Sequence, residues 1–315
     1  MRRPTYPHNV LFEVVHRLGG EATAAVQALV ARARVAGDHS AVDDHRLALA
    51  TSSQAPRLVA ALAWDDGHRE LVGYVQAVRG RAGWDLEQVV DATAATRARD
   101  ADGLARRLLK AALDAVTVED GSDVRLWAYR ADRADDQLAA TLGLHPAREL
   151  WQMRRPLPVE GAEQRHLPTR PFEVGRDEEA WLEVNGRAFG WHPDQGGWTL
   201  ADLRAREQEP WFDPRGFLLY ETEGRLAGFC WTKIHADADP PLGEIYVIAV
   251  DPDWHGKGLG RALTLAGLDH LAAAGITIGM LYVESTNTAA TRLYRSMGFA
   301  LDHVDRVYRS LAPTG

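Results

Sequence analysis

The chain has 315 residues, 46% of them hydrophobic and 25% charged, with a formal net charge of −8; that length suffices for two ordinary domains. The acidic balance excludes the basic face of a nucleic-acid binder, the single cysteine, Cys230, excludes an intramolecular disulfide, and no apolar run of about 18 residues offers a membrane span. The start, Met1-Arg-Arg-Pro4, precedes no apolar run of signal length, so a cytoplasmic protein, expected as a monomer with no membrane or nucleic-acid partner, fits these limits.

In chain order, apolar spacing predicts a helix over 23–34, a strand over 71–78, a helix over 104–116 and a short strand over 124–128. Prolines without a period mark a linker from Pro156 to Pro168. Beyond it come a helix over 177–189 and strands over 217–221, 225–234 and 243–250. A helix over 259–274 closed by Gly275, a strand over 276–283, a helix over 287–297 stopped by Gly298 and a strand over 304–310 complete the chain. Strands separated by helices, with a hairpin in the middle, imply an α/β domain with a mixed, mostly antiparallel sheet flanked by helices.

The two halves repeat at a constant offset of 155 positions. Leu71-Val-Gly-Tyr74 aligns with Leu226-Ala-Gly-Phe229, Gly103-Leu-Ala-Arg106 with Gly258-Leu-Gly-Arg261, and Leu138-Ala-Ala-Thr-Leu-Gly-Leu144 with Leu293-Tyr-Arg-Ser-Met-Gly-Phe299; Arg154 aligns with Arg309. We read a tandem duplication, with domains expected at 1–157 and 168–315.

Only the second copy has a glycine-rich turn, Val250-Asp-Pro-Asp-Trp-His-Gly-Lys-Gly-Leu-Gly-Arg261, between a strand and a helix. Gly256, Gly258 and Gly260 permit close backbone approach, and the helix N-terminus with Lys257 and Arg261 favours an anion such as a diphosphate. A tight strand-to-helix connection is the bland alternative. No Gly-x-x-x-x-Gly-Lys-Ser/Thr is present, and the turn lies too late in its domain for a dinucleotide fingerprint. About thirty residues on, Asn287, Ala290, Thr291 and Tyr294 share one helix face.

Val-Asp-Pro, His-x-x-Gly-x-Gly and Asn-x-x-Ala-x-x-Leu-Tyr-x-x-x-Gly-Phe together resemble the GCN5-related N-acetyltransferase superfamily, with His255 where that family usually has Gln or Arg. The resemblance implies acetyl-CoA as co-substrate and no metal. It places acetyl-CoA on Ile248, Ala249 and Val250, on His255, Gly256, Lys257, Gly258, Leu259, Gly260 and Arg261, and on Asn287, Thr288, Ala289, Ala290, Thr291 and Arg292. Transfer to an amine needs a base and an acid for the departing thiolate. Glu244, a carboxylate amid Leu242, Ile245 and Val247, is out of place in a core strand unless it faces a cavity, and is the candidate base; a strand-edge ion pair is its alternative. The family pattern puts Tyr294 behind the sulfur as acid, a core tyrosine being the alternative. Cys230 has no base obvious beside it, so direct attack is expected over an acyl-enzyme.

In the first copy Tyr294 is matched by Ala139, Gly260 by Ala105, and His255 and Lys257 by Asp100 and Asp102. Carboxylates facing a pyrophosphate repel it, so that copy is expected to be altered and non-catalytic.

Further stretches, Phe189-Gly-Trp-His-Pro-Asp-Gln-Gly-Gly-Trp-Thr199, Trp211-Phe-Asp-Pro214, Trp231-Thr-Lys-Ile-His235, Leu242-Gly-Glu-Ile-Tyr-Val247 and Leu281-Tyr-Val-Glu-Ser285, resemble the mycothiol synthase family of tandem acetyltransferases. That resemblance implies a small-molecule substrate, cysteinyl-glucosaminyl-inositol, acetylated on its cysteine amine. It carries substrate contacts onto Asp194, Lys233, Glu244 and Tyr282, with Asp43 or Asp44 as the first-half counterpart. Asp194 as a loop cap and Lys233 as a solvated strand lysine are the plain alternatives. Rival readings are an acetyltransferase of another small amine and a non-catalytic acyl-CoA-binding protein.

Overall fold

The computed structural model of the chain describes residues 10–35, 42–52, 57–65, 70–80, 83–91, 101–119, 123–159, 167–190 and 196–310. Two compact units emerge: residues 1–150 with 303–315, and residues 151–302. This differs from the colinear division at the linker, because the last strand belongs to the first unit and the end of the first half belongs to the second.

The first unit contains β1 (Leu11–Val15), α1 (Gly20–Val35), α2 (Asp44–Thr51), β2 (Leu58–Trp64), β3 (Leu71–Gly80), β4 (Gly83–Val90), α3 (Ala101–Glu119), β5 (Val124–Ala128) and α4 (Arg133–Thr141). The strand β6 (Leu144–Pro156) leaves it after Leu150, and β12 (Ala300–Ser310) enters it at His303. Its strands run β1-β2-β3-β4-β5-β12, with β4 and β5 parallel and the other ladders antiparallel. Alternation puts Val59, Ala61 and Ala63 against Leu104, Leu108 and Ala112 of α3, while Leu58, Ala60 and Leu62 face Val26 and Leu29 of α1.

The second unit contains the end of β6, then β7 (Arg170–Pro171), α5 (Glu178–Phe189), α6 (Leu200–Glu207), β8 (Phe217–Thr222), β9 (Arg225–His235), β10 (Leu242–Val250), α7 (Leu259–Ala273), β11 (Ile278–Glu284) and α8 (Thr288–Ser296). Its strand order is β6-β11-β10-β9-β8-β7, with β10 and β11 parallel and β10-β9-β8-β7 antiparallel. Three antiparallel ladders followed by a parallel one is the series in both units, as a duplication implies. The expected α/β class with a mixed sheet is the one observed.

One face of the second sheet packs Cys230, Ile245, Leu281 and Val283 against Leu263, Leu268 and Leu271 of α7. The α7 backbone comes so close that a Cβ on Gly267 would lie 2.5 Å from Cys230 Sγ. The other face gathers Phe217, Phe229 and Trp231 around Trp181 of α5, with ring centroids 5.7, 5.3 and 6.0 Å from it. The linker predicted from Pro156 overlaps β6. Proline ends that strand because its missing N–H is not needed there, and the Leu157 N–H still donates to Thr277 O at 2.9 Å.

Candidate active site

The site begins where two parallel strands part. Leu242–Ile245 of β10 pair with Ile278–Leu281 of β11, yet β10 continues to Val250 and β11 to Glu284 without further pairing. The cause lies on the other edge of β10. Its register with β9 steps from Ile245↔Thr232 to Val247↔Trp231, leaving Tyr246 as a bulge, and a bulged strand bends and twists away from its neighbour. Beyond the bulge, the backbone edge of Ile248, Ala249 and Val250 that turns from β9 has no β11 ladder, so it can hydrogen-bond an extended ligand.

The glycine turn follows directly. Asp251 is buried, accepts from the Asp253 N–H at 2.9 Å and pairs with Arg187 of α5 at 3.0 Å, which fixes the exit of the strand. Gly256 and Gly258 have φ of +77° and +79°, a region that disfavours every residue with a Cβ. Gly258 caps α7 and supplies no side-chain acceptor, so the first-turn N–H groups of Leu259, Gly260 and Arg261 are left for an anion. Lys257 lies over the Trp254 ring at 4.0 Å, and Arg261 donates to Ser296 Oγ at 3.2 Å. His255 Nε2 lies 3.0 Å from Val250 O, tying the turn back onto the strand.

On α8, Asn287 accepts from the Ala290 N–H at 3.1 Å and Thr291 donates to Thr288 O at 3.2 Å. Asn287 thus caps the helix, and Thr291 back-bonds to its own turn. Thr288, Ala289 and Arg292 are exposed on the same helix, and Ala290 is half-buried. Tyr294 is buried, its ring 5.8 Å from Phe299; burial, with Cys230 close by, raises its hydroxyl well above the ordinary phenol range. Burial pushes the Cys230 thiol up to about 12, so it is a thiol rather than a nucleophilic thiolate.

Opposite register positions share a face, so Lys233 and Glu244 lie side by side across the β9–β10 ladder. Glu244 is buried, and His235 Nε2 meets its Oε2 at 2.7 Å. Lys233 Nζ is held over Trp211 at 4.8 Å and Tyr246 at 5.8 Å, so it is not simply a solvated lysine. Met280 pairs with Glu244 from β11, and Tyr282, two residues on, points to that same face. Its hydroxyl accepts from Gln152 Nε2 at 2.7 Å, and Gln152 Oε1 accepts from Arg154 Nε at 2.7 Å.

The second unit therefore brings together Lys233, Glu244 and Tyr282 on one face, with the glycine turn and α8 beyond the bulge. Asp194 lies outside the described residues. Asp43 belongs to the first unit, where it caps α2 by accepting from the Arg46 N–H at 2.9 Å and donates its own N–H to Glu87 at 3.2 Å. Sequence reasoning does not assign His235, Gln152 or Arg154 to the site. His235 stood in the Trp-Thr-Lys-Ile-His stretch, but its meeting with Glu244 depends on strand register.

The ladders also locate the first unit's counterpart of Glu244. Asp85 pairs with Val78 and Arg125, which match Lys233 and Met280 at the 155 offset. Asp85 is held by Arg125 at 2.6 Å and by the Trp127 indole N–H at 2.8 Å. Both of its oxygens are thus engaged, Oδ2 by Arg125 and Oδ1 by Trp127.

The family model for the acetyltransferase (GNAT) family matches residues 179–299. A mycothiol acetyltransferase of Acidimicrobium ferrooxidans is 43% identical over 287 residues, 89% of this chain and 91% of that one. The Streptomyces coelicolor mycothiol acetyltransferase is 40% identical over 98% of this chain and 97% of its own. Among solved structures, a tandem GNAT protein from the clavulanic acid biosynthesis pathway superposes with a TM-score of 0.70 at 16% identity, covering 98% and 100% of the two chains. A GCN5-related N-acetyltransferase from Sphaerobacter thermophilus gives 0.68 at 22% identity over 95% of each. With the parted strands, the uncapped glycine turn and relatives alike along nearly their whole length, the chain belongs to the mycothiol acetyltransferase family of GNAT enzymes.

Proposed function

We propose that the chain transfers acetyl from acetyl-CoA to the cysteine amine of cysteinyl-glucosaminyl-inositol, giving mycothiol, with the chemistry in the second unit. The observation that carries this reading is the parting of β10 and β11 after Ile245, flanked by a buried carboxylate and followed by an uncapped glycine turn. The turn fits a pyrophosphate by its N–H groups and by Lys257 and Arg261; the open edge of Ile248 to Val250 fits an amide-bearing arm and offers donors to a developing oxyanion.

The amine reaches the site as an ammonium and must lose a proton. Glu244 takes it, directly or through water, and the amine nitrogen attacks the thioester carbonyl carbon. As the C–S bond breaks, Tyr294, whose hydroxyl burial keeps protonated, gives its proton to the departing thiolate and recovers one from the acylated nitrogen, directly or through water. Lys233 and Tyr282 hydrogen-bond the sugar and polyol. The first unit takes no part in catalysis, since Asp85 is engaged by Arg125 and Trp127. A cytoplasmic monomer is part of the same reading.

Mass spectrometry of cysteinyl-glucosaminyl-inositol incubated with the protein and acetyl-CoA tests it. One acetyl group gained on the cysteine nitrogen supports the assignment, and Glu244→Gln should lower turnover about a hundredfold or more while acetyl-CoA still binds. No product from a protein that binds acetyl-CoA would move the search to other amines.

A further inference from the structure

Glu244 is buried in the middle of the second unit's sheet. Its neighbours across the ladders are Lys233, itself drawn onto Trp211 and Tyr246, and Met280, which offers no donor. The one hydrogen-bond partner the described residues give its side chain is His235, at the far end of β9, with Nε2 2.7 Å from Oε2. His235 pairs in register with Leu242, two residues before Glu244, so the two side chains share a face and meet diagonally. The imidazole is 24% exposed and the carboxylate 9%, so the pair bridges solvent and the buried face.

We infer that His235 is a positioning residue for acetyl transfer: its Nε2–H holds Oε2 of Glu244 and leaves Oε1 as the oxygen presented to the amine. This rests on the reading of Glu244 as the base. An ionised carboxylate is acceptor-only, so the ring nitrogen facing it carries the hydrogen. A base that must receive a proton in a fixed direction gains from having its second oxygen tethered, because misplacement of a reacting group by even 1 Å is costly.

Other groups set the electrostatics around the pair. Lys233 lies across the ladder, Asp237 and Asp239 sit in the β9–β10 hairpin, and Tyr282 and Glu284 lie farther along β11. In the segment 208–213 that carries Trp211, Glu209 pairs with Arg206 and Asp213 with Arg215. Lys233 is the nearby cation, and cation–π contact holds it toward the rings. Among the described residues, His235 is thus the donor whose loss leaves the Glu244 side chain buried without a hydrogen bond.

The test compares His235→Ala, His235→Gln and wild type in kcat, kcat/KM for the amine, acetyl-CoA affinity, melting temperature and pH–rate profile. His235→Ala should lower kcat about tenfold or more, leave acetyl-CoA affinity within about twofold, and move the acid limb of kcat/KM to higher pH. His235→Gln, which retains an N–H donor, or imidazole added to His235→Ala, should restore part of the rate and return the limb. Wild-type kcat and an unmoved limb in His235→Ala would overturn the inference. So would a loss of rate that follows a fall in melting temperature with no shift of the limb. Glu244→Gln separates this from failure of the underlying reading: full turnover there removes the base itself, whereas an inactive Glu244→Gln beside a wild-type-like His235→Ala removes only the tether.

Discussion

Gly258→Ala isolates what the left-handed turn contributes to acetyl-CoA binding. Gly258 has φ of +79° and ψ of 6°, and a Cβ built on it meets nothing within 4 Å. No clash adds to the cost, so the penalty is that of the backbone conformation, about 1–2 kcal/mol for a residue with a Cβ. If the turn keeps its shape, the whole penalty appears as lost stability, a fall in Tm of roughly 2–8 °C for a unit of this size. If the turn relaxes instead, the penalty appears as weaker acetyl-CoA binding, roughly 5- to 30-fold in Kd. Calorimetric melting and titration with acetyl-CoA, run on the same preparation, should together recover the full amount. Gly260→Ala is the internal control. It lies inside α7, its Cβ would stand an ordinary 3.7 Å from Leu293 Cδ2, and alanine there should raise stability by about 0.5–1 kcal/mol. Wild-type melting and wild-type acetyl-CoA affinity in Gly258→Ala would refute the reasoning.

Three other outcomes are expected. Tyr294→Phe should slow turnover without raising the Kd for acetyl-CoA, and a stopped-flow pH series with wild-type rates throughout would remove the hydroxyl from the mechanism. Gly267→Ala should destabilise by about 1–3 kcal/mol in denaturant unfolding, because its Cβ would stand 2.5 Å from Cys230 Sγ and 2.7 Å from Ile245 Cδ1; adding Cys230→Ala should recover part of the loss. Asp177, against the effect of burial, is held below the usual carboxylate range by the paired Arg170 guanidinium and the Glu173 N–H. A carboxyl lowered in the folded state stabilises above its unfolded pKa of about 3.9 and loses that contribution as pH falls through the folded value. Arg170→Met should therefore make stability less dependent on pH below about 4; an unchanged acid unfolding curve would count against the pair.

The strands and helices of the candidate site are legible because each announces itself locally. The β10 run into Val250-Asp-Pro, the glycines with positive φ, and the Asn287 to Tyr294 face of α8 are read from spacing alone. The rest depends on partners. β2, Leu-Val-Ala-Ala-Leu-Ala-Trp, is buried on both faces and shows no alternation to count. β6 is interrupted by Pro146 and ends on Pro156, which reads as linker chemistry. α6 is eight residues long, and its capping box of Thr199 and Asp202 was the available signal. The bulge at Tyr246 and the His235–Glu244 bond are matters of register between strands, which one strand's sequence does not contain.

The crossing of the chain between its two units at Leu150/Trp151 and again at Asp302/His303 bears on how this protein can be inherited and dissected. A cut at the apparent linker would deprive the first unit of β12, whose Arg306 and Tyr308 both bond Asp136 at 2.6 and 2.8 Å. It would also take Gln152 and Arg154, with the support they give Tyr282, from the second. Each unit therefore takes part of its sheet from the other half of the sequence. A gene duplicated in this way can vary one copy's sequence, as Ala139 and Ala105 differ from Tyr294 and Gly260, while each unit still draws strand residues from both halves.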